Sequence, residues 1–422
     1  MMAPIAIVAP RFFPERTVGA LRPTAWAKLL PDFGWAPFVV SPYRVGYSGD
    51  GGQEPAFDMT YLEGERTLEA SDPAGGPARP AGALRRVLAS LALLDPSIGR
   101  WIRARKKVYS LIAERGARVV ITTGPPHSIH LVGLYARAKS ESLVWVADFR
   151  DPYLIDPRYK ASGPPLVGAM ANRRFARQVY SNADLVTSAI PVHARWLRRY
   201  GPGRPAQVEW VPNGIDQAAL CLPLPRERAG YDALVCSVGS AGSAELLGLA
   251  EALRTIPKDS EALSLCCVGR IPSNAEDVRN ILVGQARFTG RLPHAAALAS
   301  MSKARILVAL LSKERSRGLG LSTKVLEYLG FPCPVVIVNP TRSDRHLMRK
   351  VSGVFFIDSA SPDALRATLM EALRQPHEPL LRRAQLWRAE WNRERQVARL
   401  SGLIEQALDR RTPHSPRGGS KP

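Results

Sequence analysis

Short apolar runs alternate with stretches whose apolar positions recur every three or four residues, and the alternation continues almost from end to end. The runs predict strands at 4–9, 37–41, 118–122, 143–148, 185–188 and 208–211. A second series predicts strands at 234–238, 263–268, 286–289, 306–310, 334–338 and 354–357. The periodic stretches predict helices at 21–30, 100–114, 128–139 and 166–181, then at 243–253, 295–301, 323–330 and 362–373. A long amphipathic stretch over 381–409 follows. Continuously apolar strands separated by helices are the pattern of a parallel sheet buried on both faces.

The pattern breaks twice. Between 46 and 82 it gives way to Gly, Pro, Asp and Glu, which reads as a long surface loop. After Asn213-Gly214-Ile215-Asp216 the chain turns to Pro and charge over 222–231. The expected organisation is a first Rossmann-like domain over 1–215, a linker over 216–231 and a second Rossmann-like domain over 232–380. A helical segment over 381–409 and a basic, disordered tail over 410–422 complete it. The fold class is α/β, with two doubly wound halves facing each other across a cleft. Such sheets bind ligands outside the carboxyl ends of their strands, so the turns there are the ones to examine.

Composition adds three constraints. Apolar residues make up 45% and charged residues 23% of 422, which suffices for packed cores throughout. No apolar run is long enough to cross a bilayer, and the first residues read as a strand and not as a secretion signal. The five cysteines, Cys221, Cys236, Cys266, Cys267 and Cys333, fit no zinc spacing and read as reduced core thiols of a cytoplasmic protein. The balance of 58 Lys and Arg against 37 Asp and Glu gives +21. That charge draws polyanions: phosphorylated substrates, an anionic membrane face or nucleic acid. No nucleic-acid module is present, so nucleic acid is not an expected partner. Arg-rich coding bias is the plainer source of the excess.

Four turns carry the candidate chemistry. The first, Pro10 to Arg22, follows the first strand; Gly19 lets backbone approach a ligand, or merely makes a turn. The second is Thr123-Gly124-Pro125-Pro126-His127-Ser128-Ile129-His130, which sets His127 and His130 on the first turn of a helix. Buried structural histidines are the competing reading. The third is Asp148-Phe149-Arg150-Asp151, a charged cluster directly after a buried strand. It serves a ligand, or it is an Asp–Arg pair that orders the loop. The fourth is Leu319-Gly320-Leu321-Ser322-Thr323-Lys324-Val325-Leu326-Glu327. Here a capped helix start with Lys324 suits a pyrophosphate, and Glu327 one turn along suits the two hydroxyls of a ribose. The competing reading is an ordinary amphipathic helix with a Lys–Glu pair.

Taken in order, Gly-Pro-Pro-His-Ser-Ile-His, Val-Ala-Asp-Phe-Arg-Asp-Pro-Tyr, Val-Pro-Asn-Gly-Ile-Asp and Ser-Thr-Lys-Val-Leu-Glu-Tyr-Leu-Gly resemble family 4-like glycosyltransferases. So does Arg-Phe-Thr-Gly-Arg-Leu-Pro-His at 287–294, and the resemblance runs across nearly the whole chain. It implies the GT-B fold, with a C-terminal helix returning toward the first domain. It also implies a retaining, metal-independent transfer from a nucleotide diphosphate sugar, used as co-substrate with no cofactor. The implied acceptor is a carbohydrate or lipid-linked hydroxyl, in polysaccharide or glycoconjugate biosynthesis. Glu327 would hold the donor ribose, and Lys324, with Ser322 and Thr323, would approach its phosphates. Gly19 and Arg22 would lie by the donor phosphate, and the His-bearing turn by the acceptor, with His130 matching the family pattern better than His127. Asp148, Arg150 and Asp151 complete the expected catalytic set.

Three departures stand out. The family commonly has a Glu eight positions before the one matching Glu327, and here that position is Leu319. The turn after the first strand of the second half, Ser237-Val238-Gly239-Ser240, lacks the usual cation, which leaves Gly239 backbone, Arg270 and Arg291 beside Lys324. The first turn has one Gly where two or three are common. A nucleotide-sugar epimerase of the same fold and a non-catalytic binding relative are therefore the alternatives. Finally, residues 84–118 carry nine cations (Arg85, Arg86, Arg100, Arg103, Arg105, Lys106, Lys107, Arg115, Arg118) interleaved with Trp101 and aliphatics. The expectation is that the apolar face packs on the sheet while the cations attract the inner face of a membrane.

Overall fold

The computed structural model describes residues 2–15, 17–42, 57–62, 95–155, 165–203, 207–227, 232–239, 243–256 and 263–411. It consists of two compact units, one formed by Met1–Pro212 with Gln396–Pro422 and the other by Asn213–Arg395. The expected tail from 412 onward, and residues 46–56 and 63–82 of the expected loop, lie outside the described residues.

The first unit holds a seven-stranded sheet of β1 (Ala3–Val8), β2 (Trp35–Ser41), β3 (Met59–Tyr61), β4 (Val119–Gly124), β5 (Val144–Phe149), β6 (Leu185–Ser188) and β7 (Val208–Trp210). Its order is β3-β2-β1-β4-β5-β6-β7, and every pairing is parallel. Strand β3 corrects the expectation of a plain loop over 46–82. Its three residues, Met-Thr-Tyr, are too few to show a period, and they pair only with β2 at the sheet edge. Successive strand residues face opposite layers. Ala6, Val8 and Val120 meet helices Ile98–Glu114, His130–Lys139, Pro165–Asn182 and Pro191–Tyr200 through Trp101, Val108, Val132, Val179 and Leu197. Ile5, Ile7 and Ile121 meet helix Val18–Leu29 and the last helix, Arg393–Arg411, through Trp26, Val397, Leu400 and Ile404.

The second unit repeats the design with β8 (Asp232–Val238), β9 (Ser264–Val268), β10 (Ala286–Gly290), β11 (Ala304–Leu310), β12 (Val335–Val338) and β13 (Val354–Ile357). The order is β10-β9-β8-β11-β12-β13, again all parallel. In both sheets the strand order reverses at the first strand, which is the switch point where doubly wound sheets bind ligands.

The stretch expected over 381–409 is two helices, His377–Trp391 and Arg393–Arg411, meeting at an extended Asn392. Leu380, Ala384 and Trp387 are buried in the second unit, whereas Val397, Leu400 and Ile404 are buried in the first. The apolar spacing runs on through the break, so the sequence pattern does not register it. Residues 213–216 hold the break in place. Ile215 donates its N–H to Trp391 O at 2.7 Å and accepts from the Arg393 N–H at 3.1 Å. Gly214 has φ +76°, and a Cβ there would lie 2.8 Å from Arg393 Cα. Asp216 accepts from Ala218 N at 2.9 Å, starting helix Gln217–Leu220, and pairs with Arg393. The expected linker over 216–231 therefore begins as ordered structure of the second unit. No described helix is long and apolar enough to cross a membrane.

Candidate functional site

Three turns stand side by side at the carboxyl edge of the second sheet. Gly239 after β8, Gly269 after β9 and Gly290 at the end of β10 all have positive φ. Gly239 N–H donates to Val268 O at 2.7 Å, and Gly269 N–H to Gly290 O at 2.9 Å. A Cβ on Gly269 would sit 2.6 Å from Gly239 O, so the close approach of these turns depends on glycine. Helix Thr323–Tyr328 lies over the end of β8. The Val238 N–H donates to the buried Tyr328 hydroxyl at 2.8 Å, and the Lys324 ammonium comes within 4.0 Å of where a Gly239 Cβ would be. Gly239 and Lys324, both expected near the donor, are thus brought together. Arg270 and Arg291 are exposed on the neighbouring turns.

The loop into this helix is fixed from β12. Ser322 N–H donates to Asp344 Oδ1 at 3.2 Å, Thr341 Oγ1 to Gly320 O at 2.6 Å, and Ser343 Oγ to Leu319 O at 2.6 Å. Thr341 and Asp344 also form a capping box on helix Arg342–Met348. Ser322 is buried without a side-chain cap bond, and Asn213 Nδ2 meets Thr323 Oγ1 at 3.4 Å. The far end of the same helix is tied to His377–Trp391. Trp387 Nε1 donates to Leu326 O at 2.9 Å, Arg388 Nε to Gly330 O at 2.7 Å, and the Arg383 guanidinium to Phe331 O and Cys333 O. Buried Arg383 and Arg388 supply fixed partners for carbonyls that the helix end leaves open.

Glu327 sits among groups that the sequence reading had not assembled. His294 Nε2 lies 3.9 Å from Glu327 Oε1 and 3.8 Å from Asp216 Oδ2, and Asp216 pairs with Arg393. Burial pushes the Glu327 carboxyl above its usual range, against the pull of His294 and Arg393 and with the push of Asp216. His294 and Asp216 end two of the motifs already quoted. Only the fold shows that they converge on Glu327.

The first unit uses most of its expected site residues on one another. Asp148 is fully buried and accepts from Arg22 Nε at 3.2 Å and Nη2 at 2.8 Å, from Thr123 Oγ1 at 2.7 Å and from Thr187 Oγ1 at 2.6 Å. Arg22 also stacks on Trp26. Arg22, expected beside a donor phosphate, and Asp148, expected in the catalytic set, thus neutralise each other inside the sheet edge. Arg150 donates to Gly19 O, Gly124 O and Pro125 O, which ties the first turn to the second. A Cβ on Gly19 would lie 2.4 Å from Arg150 Nη1, so this close approach of the guanidinium depends on glycine. Burial lowers the Arg150 pKa, while Asp148 and Asp151 oppose the shift. Asp151 itself is half-buried on the bend after β5.

His127 and His130 lie inside an aromatic layer. The His127 ring is 4.3 Å from that of Tyr153, and the His130 ring 4.5 Å from that of Phe149. Trp145 Nε1 donates to Thr122 Oγ1 at 2.9 Å, and Thr122 Oγ1 lies 2.8 Å from His130 Nδ1. The hydroxyl proton then goes to Nδ1, which places the His130 proton on Nε2, a buried atom with no hydrogen-bond partner among the described residues. Burial lowers the His130 pKa to about 3 despite the opposing pull of Asp148, and that of nearby His193 to about 3. Burial also depresses His127. These rings are neutral and packed against Phe149 and Tyr153, the surroundings that the reading of buried structural histidines describes. Ser128 is held by Asp95, its N–H and Oγ donating at 2.8 and 2.6 Å.

Residues 233–375 match the family described as Glycosyl transferases group 1. Among solved structures, the chain resembles sucrose-phosphate synthase from Thermosynechococcus elongatus at TM-score 0.65 and 15% identity, over 97% of this chain and 100% of that one. It resembles HepE of Anabaena in complex with UDP at 0.61 and 12%, over 96% and 100%. It resembles a UDP-N-acetylglucosamine 2-epimerase-like protein from Listeria monocytogenes at 0.58 and 12%, over 97% and 98%. No curated protein sequence matches. Two parallel Rossmann-like sheets with C-terminal helices define a GT-B fold. The stretch that matches the group 1 glycosyltransferase family lies within the second unit.

Proposed function

We propose that the protein transfers a sugar from a nucleotide diphosphate sugar to a hydroxyl acceptor. The observation that carries this reading is the pairing of Lys324 with the Gly239 turn, one helical turn from the shielded carboxylate of Glu327, inside the segment matching group 1 glycosyltransferases. Glu327 would accept from the ribose hydroxyls, while Lys324, Thr323 and the exposed Arg270 and Arg291 would offset the charge of the diphosphate as it leaves. The acceptor hydroxyl bonds to the anomeric carbon, the bond to the diphosphate oxygen breaks, and the hydroxyl proton passes to that oxygen. Retention of configuration is carried over from the family resemblance. HepE, which shares the fold, was solved with UDP, and this supports a nucleoside diphosphate as the ligand class.

On the acceptor side we assign the turn bearing His127, His130 and Asp151. His130, buried and neutral against Phe149 and Trp145, would position this turn and would not act as a base. A peripheral location at the inner face of the membrane would bring a lipid-linked acceptor within reach.

Leu319 in place of the usual Glu, with the epimerase-like structural neighbour, keeps an epimerase as the second reading. A panel of nucleotide sugars separates the two. The donor should raise the melting temperature, because a ligand that binds only the folded state stabilises it. It should then release diphosphate only when an acceptor is added. Epimer formed without acceptor would establish the second reading, and no stabilisation by any nucleotide sugar or nucleoside diphosphate would overturn both.

A further inference from the structure

Away from the carboxyl edge, one face of the second sheet carries three reactive side chains in a row. Cys236 on β8 stands in register with Cys266 on β9, and Cys266 with Arg287 on β10. In-register neighbours on parallel strands point to the same face. Cys236 and Cys266 accordingly pack in the same core layer, whereas Cys267 packs in the opposite one. Cys236 is wholly enclosed. Cys266 borders an open pocket of about 530 Å³ at the amino half of the sheet, which Arg287 and Lys303 also line. The row thus contains an interior thiol, a thiol at the wall of a pocket and the cation Arg287, and Lys303 adds a second cation to the pocket lining.

We propose that Cys266 is a hydroperoxide-reactive thiol and that Cys236 resolves its oxidised form into a Cys236–Cys266 disulfide. The Cys266 thiolate attacks one oxygen of the hydroperoxide: an S–O bond forms, the O–O bond breaks, and water or an alcohol leaves after taking a proton. The Cys236 sulfur then attacks the sulfenic acid: an S–S bond forms, the S–O bond breaks, and water leaves with the Cys236 proton. Two thiols are oxidised and one hydroperoxide is reduced. Neighbouring strands lie about 4.8 Å apart. That falls within the Cα separation of roughly 4.4–6.8 Å that a disulfide spans. The electrostatics agree with the division of roles. Hydrogen bonding from Cys236 and the charge of Arg287 hold Cys266 below the usual thiol range, and the same coupling with burial pushes Cys236 up. The more easily ionised thiol is the one at the pocket, where a small oxidant can enter, and thiolate is the reactive form.

The test uses the full chain, with the exposed thiol of Cys221 as an internal reference. After limiting hydrogen peroxide at pH 7, non-reducing digestion and mass spectrometry should show a peptide pair joined through Cys236 and Cys266, reversible by dithiothreitol. Cys266 should be consumed severalfold faster than Cys221. Cys236→Ser should instead accumulate a sulfenic acid at Cys266 that dimedone traps, and Arg287→Gln should raise the pH midpoint for oxidation of Cys266. Two results in the wild-type protein, which needs no variant to fold, would overturn the proposal: oxidation of Cys266 no faster than of Cys221, or absence of the linked peptide once Cys266 has reacted.

Discussion

The proposed donor binding turns on Glu327, and the surroundings of that residue make the proposal testable by pH as well as by substitution. Replacing it with Ala removes acceptors for two ribose hydroxyls, and hydrogen bonds to a charged group are worth about 1.5–3 kcal/mol each. Affinity for the nucleoside diphosphate should therefore fall roughly tenfold or more, read by calorimetry, with the fold intact. Because burial raises the Glu327 pKa, wild-type affinity should weaken as pH falls through that raised value, while Glu327→Gln should be weak and flat. The stability effect has the opposite sign. A raised carboxyl pKa favours the fold at acid pH and loses that contribution as pH rises through it, so Glu327→Gln should not lower the melting temperature at neutral pH. Arg22 and Asp148 behave differently. Either one mutated alone strands a buried charge, which costs about 3–5 kcal/mol, while an apolar double variant should lose much less than the sum. Denaturant unfolding of Arg22→Met, Asp148→Leu and the pair measures this. Additive losses would show that the two do not act as a unit. The sequence showed Asp148 only within the local cluster Asp148-Phe149-Arg150-Asp151, where Arg150 is the nearest cation. Arg22 lies 126 positions from Asp148, and nothing local in a sequence couples them.

At the scale of elements, the strands were legible because each is a short apolar run between polar helices. Among the elements not predicted, edge strand β3, the break at Asn392 and the short helix Gln217–Leu220 lacked a period to read, whereas helices Pro191–Tyr200, Ala275–Ile281 and Arg342–Met348 went unassigned between predicted strands. The His-bearing turn after β4 was also legible in position, but not in environment. Its burial comes in part from Phe149 and Tyr153, which belong to other segments. That environment has a consequence for the whole aromatic layer. His130 and His193 have folded pKa values near 3, below the ordinary 6.5, and His127 is depressed as well. A group with a depressed folded pKa contributes stability above its unfolded pKa and loses it as pH falls toward the folded value. Stability of the first unit should therefore drop between about pH 6.5 and pH 3, by up to about 1.4 kcal/mol per pH unit for each such histidine. Thermal melts across that range should show the loss. His193→Phe should reduce its steepness, and an unchanged slope would exclude the buried histidines as its cause.

For the molecule as a whole, the excess of +21 becomes a surface once the helices are placed. In helix Ile98–Glu114 the apolar side is internal, with Trp101 and Val108 fully buried, so this helix does not lie in a bilayer through Trp101. Arg103, Lys106 and Lys107 are exposed beside the exposed Ile102, and Arg173, Arg174 and Arg177 are exposed on helix Pro165–Asn182. Arg85 and Arg86 lie outside the described residues. Near anionic lipid each such cation gains about 1 kcal/mol, an attraction that salt screens. Vesicles rich in phosphatidylglycerol should therefore co-sediment the protein at low salt and release it at high salt. No binding at low salt would remove the membrane assignment, and salt-independent binding would point to insertion. The fold class was readable at this scale because two series of strands each announced a sheet. The route of the chain was not, since it depends on the lashing of Ile215 to Trp391 and Arg393. That lashing has a genealogical meaning. The second unit is one uninterrupted stretch, Asn213–Arg395, whose entry and exit strands are held together at the neck. Its host is a domain already complete in its sheet before the stretch begins, and it receives only a covering helix after the stretch ends. In gene architecture this is a cassette with adjoining ends, the kind of segment that insertion tolerates without re-threading the domain that receives it.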